Sequence, residues 1–400
     1  MIWAEKSDLP IYRPSSSVEI KPSPDGFISS NTDADALRVH FGQLLMTCSG
    51  TVGKVAYVSR TLDGKIFSQD LFRINVFDDY PAGYLHTFLK SAVGQKFLSS
   101  LTYGAVILHI NPEHLAEIPI PDPPFELKRR IHDLIVRSYE LRDESNDLLD
   151  EAERLLIAAL ELPPIDRFQS KGMGFSVKLS NIFASRRLDA SYHVPIVDRI
   201  VEHLKLHAAE LTTVGDRRIS RKVILPGRFK RVYVDEGHGR VFIGGKQLGE
   251  LDPSNKKYLS IAHHADRISA QLELHENMTL ITCSGTIGKV ALVPRHWENW
   301  AASQHIIRVI PACEEIAGFL SVFLSTDYGR ELITRNTYGA VVDEITDYHV
   351  RAVPVPLLSD RSVQSRINAL ALEANERRFE AYQLERQALS IMNSEVLGLE

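Results

Sequence analysis

The residues able to do chemistry come in matched pairs. Ser49-Gly50-Thr51-Val52-Gly53-Lys54 and Ser284-Gly285-Thr286-Ile287-Gly288-Lys289 each run through glycines to a lysine. The spelling is close to a phosphate loop, which needs Gly, four residues, Gly-Lys and then Ser or Thr. Here only two residues separate Gly50 from Gly53, and Val55 follows the lysine. Nucleotide hydrolysis is therefore not expected. A tight hairpin is expected instead, with the glycines supplying positive φ. It leaves Lys54 and Lys289 at a loop tip, where a cation reaches a phosphate or stays solvated.

Gln69 and Gln304 precede a strand at matched positions. Glutamine there bonds adenine bidentately or is a solvated strand edge. Arg73 and Arg308 read as strand-borne phosphate or base contacts, or as partners of a carboxylate. Tyr103 and Tyr338 are expected to pack beside their Gly turns. Arg217, Arg218, Arg221, Lys222, Arg228, Lys230 and Arg231 crowd one segment, and Lys246 follows in a Gly244-Gly245-Lys246 turn. Such a segment is either a solvated face or a surface for phosphates.

Other chemistries find little support. His263-His264 are adjacent, which does not put both rings on one face of an element. There is no Cys-x-x-Cys, no Gly-x-Ser-x-Gly elbow and no Gly-x-Gly-x-x-Gly. Asp122-Pro123-Pro124-Phe125 has the spelling that amino-methyltransferases use on flipped bases. No glycine-rich cofactor loop precedes it, and proline is favoured at a helix start. It reads as helix punctuation. Neither catalytic residues nor metal ligands are expected. Cys48 and Cys283 are matched and read as packing residues; with Cys313 they fit a reducing, cytoplasmic compartment.

The elements that position these residues are themselves repeated. Cys48 and Cys283 lie 235 positions apart (283 − 48), and no gap is needed from Thr47 to Pro121. Ser68, Arg73, Gly83, the run Thr102-Tyr103-Gly104-Ala105-Val106, Pro119 and Pro121 all recur at that offset. A period this long makes each repeat a domain rather than a solenoid unit. Strands are expected on both sides of the glycine turn, over Phe72 to Val76 and over Val106 to Ile110, with a further strand at Ile118-Pro119-Ile120-Pro121. A helix is expected over Tyr84 to Leu98.

From Leu127 to about Leu162 apolar residues recur every three or four positions without proline or glycine. They predict one amphipathic helix of about 50 Å at 1.5 Å per residue. Val363 to about Val396 predicts a second. Neither buries its stripe alone, so the two are expected to pair antiparallel, coiled-coil fashion. The expected fold is α+β. A first domain spans 1–124, a helix 125–164, a linker 165–178, a second domain 179–358 and a second helix 359–400. The second copy begins with Arg187-Leu188-Asp189-Ala190-Ser191-Tyr192-His193-Val194-Pro195, a helix from about Ile196 to Ala209 and the basic segment. The first copy begins at Met1 without them and is expected to be incomplete on that side.

No apolar run reaches the ~20 residues that span a bilayer, and no signal-peptide pattern opens the chain. The net charge of −5 excludes a protein coated in basic charge. It leaves local patches to decide what is bound.

The Thr-Cys-Ser-Gly-Thr-Val/Ile-Gly-Lys stretch resembles the turn in target-recognition domains of type I restriction–modification specificity (S) subunits. The Tyr-Gly-Ala turn, the Ile-Pro-Ile-Pro run ahead of a long helix, and the Arg187 to Pro195 stretch are similar to that family too. The resemblance implies two target-recognition domains, each reading half of a bipartite sequence in double-stranded DNA. The helix pair would set the gap and dock two methyltransferase (M) subunits, and a motor–nuclease (R) subunit would join for cleavage. It further implies phage defence, no cofactor on this chain and S-adenosylmethionine on the M subunit. Two rivals stand beside it: a non-DNA adaptor holding two partners on the same rod, and an enzyme built on Asp122-Pro123-Pro124-Phe125.

Overall fold

The computed structural model describes residues 3–4, 9–168, 174–254, 256–339 and 341–399. Of the linker expected at 165–178, residues 169–173 lie outside the described residues. The first copy forms β1 (Trp3–Ala4), β2 (Leu9–Tyr12), β3 (Gly26–Ile28), β4 (Leu44–Thr47), β5 (Val55–Tyr57), β6 (Ile66–Phe67) and β7 (Leu71–Ile74). Helices α1 (Ala82–Lys90), α2 (Ala92–Ser100), α3 (Pro112–Ala116) and α4 (Phe125–Ala159) follow. The second copy opens with α5 (Leu179–Ser185), α6 (Pro195–His207), β8 (Glu210–Thr213), β9 (Ser220–Ile224), β10 (Tyr233–Val234), β11 (Gly239–Ile243), β12 (Lys257–Ser260) and α7 (Ile261–Arg267). It continues through β13 (Thr279–Thr282), β14 (Val290–Leu292), β15 (Ala301–Ala302), β16 (Ile306–Pro311), α8 (Glu314–Ser325), α9 (Asp327–Thr334), α10 (Asp347–Arg351), β17 (Pro354–Leu357) and α11 (Arg361–Ile391).

The chain divides into two compact units. The first is Met1–Asn146 with Gly249–Ser254 and Arg377–Glu400; the second is Asp147–Leu248 with Asn255–Glu376. Each unit therefore holds part of α4 and part of α11.

Within each unit the duplication is visible as register. Leu45 pairs with Arg73 across β4 and β7, and Leu280 pairs with Arg308 across β13 and β16. The hairpins β4–β5 and β13–β14 are apolar because they are core strands. Residues 44–47 and 279–282 are buried throughout. Cap residues match as well: Ser91 and Thr326 accept from the amides of Gly94 and Gly329. Ser91 also splits the helix expected over Tyr84 to Leu98 into α1 and α2, because its extended backbone ends one helix and caps the next.

The repeat reaches further back than the expectation of an incomplete first copy. The sheet β1-β3-β2-β6 has the order and pairing of β10-β12-β11-β15. Ile11 pairs with Ile66 where Phe242 pairs with Ala301. The second residues are 235 apart (301 − 66), the first only 231 (242 − 11). A four-residue length change between these segments hides the earlier half of the repeat in the sequence. Among the described residues the first unit has no counterpart of α5, α6, β8 and β9.

Two expected strands are absent, the first of them for want of a partner strand. In the second unit Pro354–Leu357 is a strand because β8 pairs with it. Residues 118–121 have no such neighbour and form none. The run Val106 to Ile110 is a loop, tied only through bridges of His109 to Ser49 and Tyr103. Asp122 accepts from Lys128 Nζ at 2.7 Å, and α4 starts at Phe125, so the Asp-Pro-Pro-Phe run opens a helix.

The long helices end earlier than 164 and 400, at Ala159 and Ile391. In the first unit Arg130 meets Glu395 at 3.2 Å and Ser145 meets Arg378 at 3.0 Å. Rising numbers on α4 meet falling numbers on α11 and the turn after it, so the contacts run antiparallel. In the second unit Glu151 meets Arg366 at 3.1 Å. There Ala152 and Leu156 share a core with Ile367 and Leu370.

The matched glycines Gly83 on α1 and Gly318 on α8 set how closely those short helices approach α4 and α11. A Cβ on Gly83 would lie 2.7 Å from His132 Cα on α4; one on Gly318 would lie 2.4 Å from the Asn368 carbonyl on α11. Gly318→Ala is expected to cost about 1–3 kcal/mol through this overpacking, read by chemical denaturation. An unchanged midpoint would show that the helices yield freely.

Candidate nucleic-acid interface

Two motifs that stand far apart in the sequence form one structure. In the first unit the Gly50 amide donates to the Leu108 carbonyl at 2.9 Å and the Ile110 amide to the Cys48 carbonyl at 3.1 Å. In the second, Gly285 donates to Asp343 and Ile345 to Cys283, both at 3.0 Å. The glycine hairpin and the Tyr-Gly loop thus make one composite tip in each unit. Gly50, Gly53, Gly285 and Gly288 all have φ between 71° and 86°, as the hairpin requires. Thr47 and Thr282 close the turn: their Oγ1 atoms accept from the amides of Lys54 and Lys289 at 3.0 and 2.9 Å. The loop apex is apolar and open to solvent, with Val106 95% and Val341 97% exposed.

Arg73 and Arg308 are not surface readers. Arg308 is 0% exposed, and its guanidinium donates to the carbonyls of Leu272, Ala302, Ser303 and Ile306. Arg73 donates to Leu37, Phe67, Ser68 and Leu71. Each acceptor of one arginine is 235 positions from an acceptor of the other (272 − 37, 302 − 67, 303 − 68, 306 − 71). The matched pair staples backbone that no strand partner satisfies. Burial pulls the Arg308 guanidinium down to about 9.

Lys54 is committed as well. Its ammonium contacts Glu250 at 2.5 Å within the first unit, with both side chains largely buried. Glu250 belongs to the strap Gly249–Ser254, and burial raises its carboxyl above the ordinary range. Gln69 is exposed beside the first tip.

The basic segment of the second unit divides in two. Arg217, Arg218, Arg221 and Lys222 are exposed near the far end of β16. Arg218 there is held by Glu210 and Asp216, and its hydrogen bonds keep both carboxyls below their ordinary range. Arg221 Nε donates to the Ala312 carbonyl at 2.8 Å. Arg228 and Arg231 instead reach the tip. Arg228 meets Glu344 and Arg231 meets Gln304, both at 2.9 Å. Lys230 beside them is exposed. Strand β16, at ~3.3 Å per residue, separates the two groups by roughly 15 Å. His305 lies with the tip group, next to Gln304; burial first, then the charge of Arg231, lowers its pKa and favours the neutral ring. Lys246 is exposed on the turn whose Gly245 faces Thr282, where a Cβ would lie 3.1 Å from Thr282 Cγ2, at the base of the hairpin carrying Lys289.

Sequence reasoning missed two cations here. Arg187 donates to the Thr337 carbonyl at 2.8 Å and pairs with Asp189, whose carboxyl it holds well below the usual range. Arg335 pairs with Asp198 at 2.8 Å. Both guanidinium groups lie over the Tyr192 ring, at 5.1 and 4.8 Å. The Arg187 to Pro195 stretch was the available signal, but nothing local says what it stacks against. The second tip is thus ringed by Arg187, Arg228, Arg231 and Arg335 around exposed valines.

Among the described residues no helix is long and apolar enough to cross a membrane, and no His/Cys/Asp/Glu group is placed to hold a metal ion. Neither a family profile nor a curated relative matches the chain. Solved structures do. The chain is similar to a type I restriction–modification system S subunit from M. genitalium, at 13% identity and TM-score 0.34, over 99% of this chain and 89% of that one. It is similar to the HsdS subunit from Thermoanaerobacter tengcongensis, at 16% identity and TM-score 0.33, over 98% and 91%. A third similar chain comes from work on complex assembly and conformational transition of the type I R-M system, at 14% identity and TM-score 0.32, over 98% and 91%.

Proposed function

We propose that this chain is the DNA sequence-specificity subunit of a type I restriction–modification assembly. Each unit reads one half of a bipartite target, and the long helices hold the units at a set spacing and dock two methyltransferase subunits. A motor–nuclease subunit completes the assembly. The chain itself does no catalysis, and S-adenosylmethionine belongs to the methyltransferase. The observation that carries this reading is the composite tip. It is present once per unit, at positions matched by one offset, and each unit also holds a segment of α4 and one of α11. The family resemblance of those same residues supplies the function.

On this reading Lys289, Arg228, Lys230, Arg231 and Lys246 contact phosphates, with Gln304 at a base edge. Gln69 is its counterpart in the first unit. Arg217, Arg221 and Lys222 form a second phosphate contact at the far end of β16, and Arg218 takes part only by leaving its carboxylates.

The test is binding of the full chain to a pool of random-sequence duplexes over a range of salt. Affinity is expected to fall steeply with salt, and Lys289→Ala to lower the slope by about one for the lost phosphate contact. An unchanged slope would remove Lys289 from the interface. Negligible, salt-independent affinity of the parent chain would favour the adaptor reading instead.

A further inference from the structure

The apex of each tip is apolar where an ordinary surface loop is polar. In the first unit Ala105, Val106, Ile107 and Leu108 are all exposed, an unbroken apolar run in water. In the second, Val341 and Val342 are exposed at the positions matching Val106 and Ile107. One exposed valine calls for no explanation, but a contiguous apolar run facing solvent marks a surface that binds.

The run is also held rigid. At its base Tyr103 and His109 exchange both backbone hydrogen bonds, at 2.9 and 2.8 Å, as Tyr338 and Glu344 do at 3.0 and 2.7 Å. Gly104 and Gly339 turn the loop with φ of 110° and 125°. A Cβ on Gly104 would lie 2.2 Å from the Ile107 oxygen, and one on Gly339 2.1 Å from the Val342 oxygen. Valine, β-branched, has few rotamers to lose on contact. The apex is thus pre-organised, and binding freezes little further motion.

Charge names the ligand. Arg187 donates to the Thr337 carbonyl on one side of the second loop, and Arg228 meets Glu344 on the other. Arg231, Arg335, Lys230 and Lys289 add to this rim. Asp189, Asp198, Asp343 and Glu344 offset part of the charge and leave it net positive. An apolar knob between cations fits a groove of duplex DNA, whose edges are rows of phosphates. The apolar group on the floor of the major groove is the 5-methyl of thymine.

We propose that Val341, with Val342 beside it, reads thymine by packing on its 5-methyl group in the major groove while the arginine rim holds the flanking phosphates. Val106 and Ile107 do the same for the half-site of the first unit. The inference rests on the specificity reading and adds to it a base contact that needs no hydrogen bond.

The test uses duplexes that the full chain enriches from a random-sequence pool. Each is prepared with thymine and again with uracil, which lacks only the methyl. Uracil is expected to weaken binding by about fourfold for each methyl contacted, the worth of burying one such group. Val341→Ser is expected to weaken binding to the thymine duplexes by a similar factor and to leave binding to the uracil duplexes nearly unchanged. Val106→Ser is expected to behave likewise. Both sites are almost wholly exposed, so neither change disturbs the core. Equal binding of thymine and uracil duplexes would overturn the proposal while leaving sequence specificity intact. So would a Val341→Ser loss of the same size on both, or no loss on either. A pool from which no sequence is enriched would remove the specificity reading and this inference together.

Discussion

Replacing Arg308 with leucine is expected to destabilise the second unit by about 3–5 kcal/mol, the range for stripping a buried charged group from its partners. Leucine fills part of the volume but leaves the carbonyls of Leu272, Ala302, Ser303 and Ile306 without their donor. Each buried carbonyl left unsatisfied costs about 1–3 kcal/mol, softened where the loops relax outward. Lysine keeps the charge but lacks the planar fork, so Arg308→Lys is expected to recover only part of the loss. Urea denaturation followed by hydrogen exchange in β13 and β16 reads both variants. If Arg308 were a DNA contact, affinity would fall while stability held, which is the opposite signature.

Glu385→Gln is expected to cost the first unit a similar amount. Glu385 is buried and takes contacts from both Lys90 and Arg142. Burial works against its charge, but the two cations prevail and hold its carboxyl below the ordinary range. An amide in its place leaves two buried cations without an anion, a loss of about 3–5 kcal/mol. His86 faces the same cluster. It is fully buried, bonded to Tyr139 at 3.3 Å, and burial pushes its pKa down to about 3.

The sign of the pH dependence follows. Both folded-state values lie below the unfolded ones, so both contributions are present at neutral pH and fade on acidification. His86 acts first, from the ordinary histidine value of 6.5 down to about 3. By pH 5 it removes roughly 2 kcal/mol, at 1.36 kcal/mol per pH unit. Glu385 adds its loss below the ordinary carboxyl value of 4.5. His86→Phe is expected to flatten the stability profile of the first unit between pH 7 and 5. An unaltered profile would contradict the assignment.

Much of this architecture is legible in the sequence because the features concerned are local. The glycine hairpins follow from residue type and spacing. The long helices follow from their apolar period, with ends in error by a few residues. What escaped depends on distant partners. Lys54 reads as a free tip lysine until Glu250, 196 positions away, is placed beside it. Arg73 and Arg308 read as DNA contacts because their acceptors are backbone carbonyls, which no motif records. Ile118 to Pro121 reads as a strand from its spelling, but of the two copies only 354–357 is one, because pairing with β8 rather than spelling makes that strand. The early half of the repeat escaped because four residues of length change break an ungapped register.

We propose that two like tips in one chain specify a two-part DNA sequence for a methyltransferase that cannot choose it alone. Methylome sequencing of cells that carry this gene, set against cells from which it has been deleted, addresses that claim most directly. The account predicts that deletion erases adenine methylation at one motif made of two short specific sequences separated by a fixed spacer, and that restoring the gene returns it. A methylome identical in both strains would contradict the account.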